Sequence, residues 1–143
     1  MQRIDEWMIR IYTDGASQGN PGKSASGWAI YNDGKLIKEG IAYNGIKTNN
    51  YAEYMAMILA LEWCSKNISS SEKIEIYSDS RLATMQASGK FKVKSASLQE
   101  LNSRLMGLAK KFREVKFINV PRENANIAKV DAALSIYLSK QRI

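Results

Sequence analysis

The period of the hydrophobic and polar positions changes repeatedly along the chain, and each change marks an element. From Met8 to Asp14 apolar and β-branched residues alternate with polar ones, then stop at an acid where a loop of Gly, Ser, Asn and Pro begins. This predicts a first strand with a carboxylate at its carboxyl end. Ser26 to Tyr31 and Leu36 to Tyr43 read as two further strands. Asp33-Gly34 sits tightly between them, the signature of an antiparallel hairpin. From about Asn50 to Lys66 the chain is apolar nearly all round, which predicts a deeply buried helix. Lys73 to Ser78 is a fourth strand, and Ser80 to Ser88 a short helix stopped at Gly89. Ser97 and Glu100 form the pattern of a capping box. Behind it Leu98, Leu101, Leu105, Leu108 and Phe112 trace one helical stripe. Val115 to Val120, stopped by Pro121, is a fifth strand. A last helix runs from about Asn126 to Gln141, with Ile127, Val130, Leu134, Tyr137 and Leu138 facing inward. The order βββαβααβα predicts an α/β fold with a five-stranded mixed sheet, antiparallel at one edge and parallel at the other.

Composition narrows the chemistry. The 143 residues suit a single domain, 1–143, of ordinary globular make-up, 45% hydrophobic and 24% charged. No apolar run approaches the roughly 20 residues needed to span a bilayer. Residues 1–7 lack the apolar core of a signal peptide. Cys64 is the single cysteine, read as a small buried apolar residue, and these features suit the cytoplasm. Histidine is absent, which removes Ser-His and Cys-His nucleophiles, His-ligated zinc and the commonest general base. Chemistry must run on carboxylates, hydroxyls, lysines or metals.

The net charge of +7 is uneven. Between Arg81 and Arg122 ten basic residues face only Glu100 and Glu114, whereas the rest of the chain is nearly balanced. Within that segment Lys90, Lys92 and Lys94 alternate with Phe91 and Val93, placing three cations on one face of an extended piece. Such a run is ordinarily a solvated face; this spacing also suits the phosphates of a polyanion.

Four carboxylates stand out. Asp14-Gly15 can be read as a turn, but unlike Asp33-Gly34 it has no partner strand two residues on. Glu53 follows Asn50 by three residues, itself a capping pattern, and Asp79 is placed to cap the helix that follows it. Asp131 has the weakest structural excuse, since it falls between Ile127 and Leu134 in an apolar stripe. A charge there is expensive unless paired or bound to a metal. Two of the acids end strands and two lie on helices, so all four can meet at one end of the sheet. Together they would repel one another and any nucleic acid; two divalent ions ~3.5–4 Å apart remove that difficulty and activate water. Oxygen ligands without His or Cys favour Mg²⁺ or Mn²⁺ over zinc.

Tyr12-Thr13-Asp14-Gly15-Ala16-Ser17 with Gly19-Asn20-Pro21-Gly22, then Thr48-Asn49-Asn50-Tyr51-Ala52-Glu53, then Tyr77-Ser78-Asp79-Ser80, resemble ribonuclease H type 1 in order and spacing. The resemblance spans the chain from first strand to last helix. It implies a ribonuclease H-like fold and an endonuclease that cuts the RNA strand of RNA/DNA hybrids with two Mg²⁺ ions, Mn²⁺ being a substitute. The products would be 5′-phosphate and 3′-hydroxyl ends. By the same resemblance Asp14 bridges both ions, Glu53 and Asp79 complete the leaving-group side, and Asp131 holds the ion that carries the attacking water. Glu53 would also contact a ribose 2′-hydroxyl. Asn20, Asn49 and Asn50 would touch the minor groove, Thr48 a DNA-strand phosphate, and Ser80 the substrate beside Asp79. Lys90, Lys92 and Lys94 would grip the DNA strand.

Three departures from the family pattern are visible. The loop before the last helix reads Val120-Pro121-Arg122-Glu123-Asn124, as in a histidine-less subset, leaving Arg122 or Glu123 as auxiliary residues. Asn126 and Val130 precede Asp131 where the family places Asn four residues before and Ala immediately before. Arg81 stands where Gln is frequent. The leading expectation is a monomeric hybrid nuclease that needs no membrane, with double-stranded RNA open as a further substrate. Its rivals are another nuclease on the same fold and a catalytically inactive hybrid-binding module.

Overall fold

The computed structural model describes residues 9–141. In chain order the elements are β1 (Ile9–Gln18), β2 (Gly22–Asn32), β3 (Lys35–Lys47), α1 (Asn49–Asn67), β4 (Lys73–Ser78), α2 (Arg81–Ala87), α3 (Ala96–Ala109), β5 (Glu114–Asn119) and α4 (Ala125–Ser139). The sheet order is β3-β2-β1-β4-β5, so β1 is its middle strand. The first three strands are antiparallel, and β1, β4 and β5 are parallel. This is the expected mixed sheet. Met8, expected to open the first strand, lies outside the described residues.

Strand alternation decides what each face carries. Ile9, Ile11, Ile30, Ile74 and Ile76 point to one side of the sheet. There they pack on Tyr54, Met57, Ile58 and Leu61 of α1, on Leu101 and Leu105 of α3, and on Phe112. The helix expected to be deeply buried is α1, with eight buried residues. The opposite face is thinner. Ala25 and Ala29 of β2 meet Val130, Leu134 and Leu138 of α4. Gly27 lets α4 come this close, since a Cβ there would press on Val130 Cγ1 at 2.9 Å.

The structure corrects several boundaries. β1 does not stop at Asp14 but continues to Gln18, each added residue paired with β2 from Gly15↔Ser26 to Gln18↔Lys23. Gly, Ala and Ser have little strand preference of their own, and cross-strand pairing supplies what propensity does not. The parallel pairing with β4 does end there, at Thr13↔Ser78. Asp14 therefore sits at the carboxyl end of the parallel part and in the middle of a hairpin. Asp33 (φ 53°) and Gly34 (φ 79°) make the expected tight turn. Ser95, not Ser97, caps α3, accepting from the Leu98 amide, and Ser97 Oγ pairs with Ser95 Oγ instead. The Ser97–Glu100 capping box is therefore not formed.

Candidate active site

Each of the four acids is delivered by a different element. Asp14 is buried, 4% exposed, on the face of β1 that looks toward α4. At the next residue α1 passes against the strand. A Cβ on Gly15 would overlap the Ala52 carbonyl carbon and the Glu53 amide nitrogen, so only glycine permits this approach. Hydrogen bonds lace the same junction. Asn49 Oδ1 accepts from the Ser17 amide (3.0 Å) and hydroxyl (2.9 Å), and Asn20 Oδ1 accepts from the Asn49 amide (3.0 Å). On the other side of the helix start, Asn44 donates to Ser26 Oγ, and Ser26 donates to the Ala52 carbonyl at 2.6 Å.

These contacts settle the competing readings of Glu53 and Asp79. Thr48, not Asn50, caps α1, its hydroxyl accepting from the Tyr51 amide, so Glu53 lies beyond the capping position. Ser80, not Asp79, caps α2 and accepts from the Ala83 amide. Neither carboxylate is used in a helix cap. Oxygens of Asp14, Glu53 and Asp79 lie within 4.8 Å of one another. Asp131, half-buried on α4, stands outside this triad but near enough for its carboxylate to raise the Asp14 carboxyl.

The electrostatics of the cluster are strained. Burial, and then the charges of Asp79 and Asp131, push the Asp14 carboxyl up to about 8, against a lowering contact from the Gly15 amide. Glu53 is raised well above the usual carboxylate range by burial and by Asp14 and Asp79. Asp79 is raised by burial, with the Arg122 guanidinium opposing the shift. Glu53 Oε1 is buried without a hydrogen-bond partner. A buried acceptor left unpaired is costly, and a divalent cation would satisfy it while neutralising its neighbours. The all-oxygen donor set fits a hard ion such as Mg²⁺ or Mn²⁺.

A family model described as reverse transcriptase-like matches residues 12–135. The crystal structure of RNase H1 from Halobacterium salinarum superposes with a TM-score of 0.84 at 34% identity, covering 93% of this chain and 98% of that one. The chain belongs to the ribonuclease H type 1 family. A curated ribonuclease HI from the same organism is 36% identical over 115 residues, which are 80% of this chain and 57% of that longer protein. The crystal structure of LC11-RNase H1 in complex with RNA/DNA hybrid matches with a TM-score of 0.81 at 34% identity, over 91% of this chain and 99% of that one.

Within this ribonuclease H fold the remaining expected residues fall as follows. Asn20, Thr48, Asn49 and Asn50 are exposed around the start of α1, and Ser80 is half-buried beside Asp79. Lys90, Lys92 and Lys94 are exposed while Phe91 and Val93 are half-buried, which is the alternation expected. Arg122 and Glu123 are both exposed, but Arg122 is the one whose charge reaches Asp79, and with it lines an open concavity. The last helix is capped by Asn124, whose Oδ1 accepts from the Asn126 and Ile127 amides. Asn126 is thus inside the helix, which begins at Ala125. Cys64 is buried, its thiol pushed up to about 12 by burial, an inert core residue as expected. Sequence reading missed Gly15 and Ser26 as positioning residues. In the sequence Asp14-Gly15 draws notice only for its acid and not for its glycine, and nothing in a serine announces a contact 26 positions away.

Proposed function

We propose that this chain is an endoribonuclease that hydrolyses the RNA strand of RNA/DNA hybrids, leaving 5′-phosphate and 3′-hydroxyl ends. The observation that carries the reading is the triad of raised carboxylates with its orphaned Glu53 oxygen, at the junction of β1, β4 and α1 in a ribonuclease H type 1 fold. Asp14, Glu53, Asp79 and Asp131 would hold two Mg²⁺ ions, Mn²⁺ serving as substitute. When bound, such ions supply Lewis-acid activation of water and stabilisation of the leaving oxygen.

The protein's own groups do the positioning. Asn20 and Asn49 use their carbonyl oxygens within the protein, which leaves their NH₂ groups as donors for the acceptor-lined minor groove. Asn50 stands exposed next to them. The Thr48 and Ser80 hydroxyls accept cap hydrogen bonds and keep their own protons free to donate to a phosphate. Lys90, Lys92 and Lys94 present cations to the DNA strand. Arg122 takes the auxiliary place left by the missing histidine, since it already lies beside Asp79. The chain acts as a monomer, and its buried free thiol suits the cytoplasm.

The test is cleavage of end-labelled RNA/DNA hybrid, RNA duplex and DNA duplex with Mg²⁺, with Mn²⁺ and with chelator, beside Asp131→Asn. Metal-dependent cutting of the hybrid's RNA strand, lost in the variant, is the expected result. Activity that survives the variant would move the fourth ligand elsewhere. Tight hybrid binding without cleavage would overturn the enzymatic reading in favour of a binding module, and cutting of the RNA duplex would widen the substrate range.

A further inference from the structure

Resting on the hybrid-nuclease reading, we propose that Arg81 is a fixed phosphate contact that links the carboxylate site to the lysine stretch, with Phe91 as its shelf. The guanidinium carbon of Arg81 lies 5.2 Å from the centre of the Phe91 ring. Arg81 is exposed, and it is the second residue after Asp79. A guanidinium stacked on an aromatic face loses freedom but keeps its edge N–H groups for a phosphate. A cation held in this way gives up less conformational entropy on binding than a solvated lysine does.

The shelf itself is held from beneath. The Lys90 and Phe91 amides both donate to the Met85 carbonyl, at 2.8 and 3.1 Å. Gln86 Nε2 donates to the Lys92 carbonyl (3.2 Å), and Gln99 Nε2 to the Val93 carbonyl (2.8 Å). Gln86 is buried, and its Oε1 accepts from the Tyr54 hydroxyl at 2.7 Å. Asn102 donates to that hydroxyl in turn. Residues 90–93 are therefore tied to α1, α2 and α3 although they belong to no regular element. Phe91 is turned to the protein and its lysine neighbours to solvent. With Arg81 against Phe91, its cation is added to the three exposed lysines of a backbone that α2 and α3 hold in place, starting two residues after Asp79.

The measurement is hybrid binding in chelator against salt concentration, for the parent, Arg81→Gln, Arg81→Lys, Phe91→Leu and the Arg81→Gln/Phe91→Leu double variant, with melting temperatures alongside. Arg81→Gln is expected to weaken binding several-fold and to lower the slope of log K against log salt by about one. Arg81→Lys should restore the slope but not the full affinity. Phe91→Leu should weaken binding in the parent and add nothing in the Arg81→Gln background, which separates the shelf from any general loss of packing. A slope and affinity unchanged in Arg81→Gln, with the parent binding hybrid, would overturn the role of Arg81 alone. A parent that does not bind hybrid would overturn the functional reading and this inference with it.

Discussion

The proton on Asp14 makes stability without metal depend on pH. In the folded chain this carboxyl titrates at about 8, against 3.8 for an ordinary aspartate. Between those values the folded state holds a proton that the unfolded state has lost, so stability falls as pH rises through the window. Glu53 and Asp79 are shifted in the same direction and add to the slope. Thermal melting in chelator should therefore give a lower midpoint at pH 8.5 than at pH 6, and Asp14→Asn should flatten the dependence. Added Mg²⁺ should stabilise more at the higher pH, because the ion competes with the protons. A midpoint that does not move with pH would mean that these carboxylates are not coupled.

At the scale of elements, the cap of α1 matters twice. Removing the Thr48 hydroxyl leaves the Tyr51 amide unpaired and should cost about 1 kcal/mol. Since Glu53 rides on the turn after that cap, Thr48→Ala should also lower the rate of cleavage at saturating substrate; Thr48→Ser should recover both melting temperature and rate. The type of each element was legible from apolar spacing, because Ile9, Ile11, Ile74 and Ile76 obey the strand period and Leu98, Leu101 and Leu105 the helical one. What stayed hidden depends on partners. The length of β1 comes from pairing with β2, which residues as neutral as Gly15, Ala16 and Ser17 cannot advertise. Thr48 against Asn50, and Ser95 against Ser97, are choices between equally good capping residues that backbone geometry decides. Asp131 stands out in the sequence for the opposite reason, as an acid breaking an apolar stripe, and the structure sets it beside a buried Val130 and Leu134.

For the whole molecule, charge is segregated and so is packing. The whole positive excess belongs to the segment from Arg81 to Arg122, the rest of the chain being slightly acidic. Replacing Lys90, Lys92 and Lys94 together with Ala should weaken hybrid binding and flatten its salt slope by about three, read from affinities at several salt concentrations. An unchanged slope would assign the lysines to solvation alone. The two faces of the sheet differ in another way. β1 is hydrogen-bonded on both sides and rests on the large cluster with α1 and α3, whereas α4 is seated on a smaller cluster of Ala25 and Ala29 with the half-buried Tyr12, Ala16 and Tyr31. Helix α4 should therefore open on its own, at a lower free energy than the central strand, and carry Asp131 away while Asp14 stays in place. Amide hydrogen exchange would read this directly. Residues 125–139 should exchange well before residues 9–14, and Mg²⁺ should slow the helix far more than the strand, since an ion held between Asp14 and Asp131 would act as the latch on that helix.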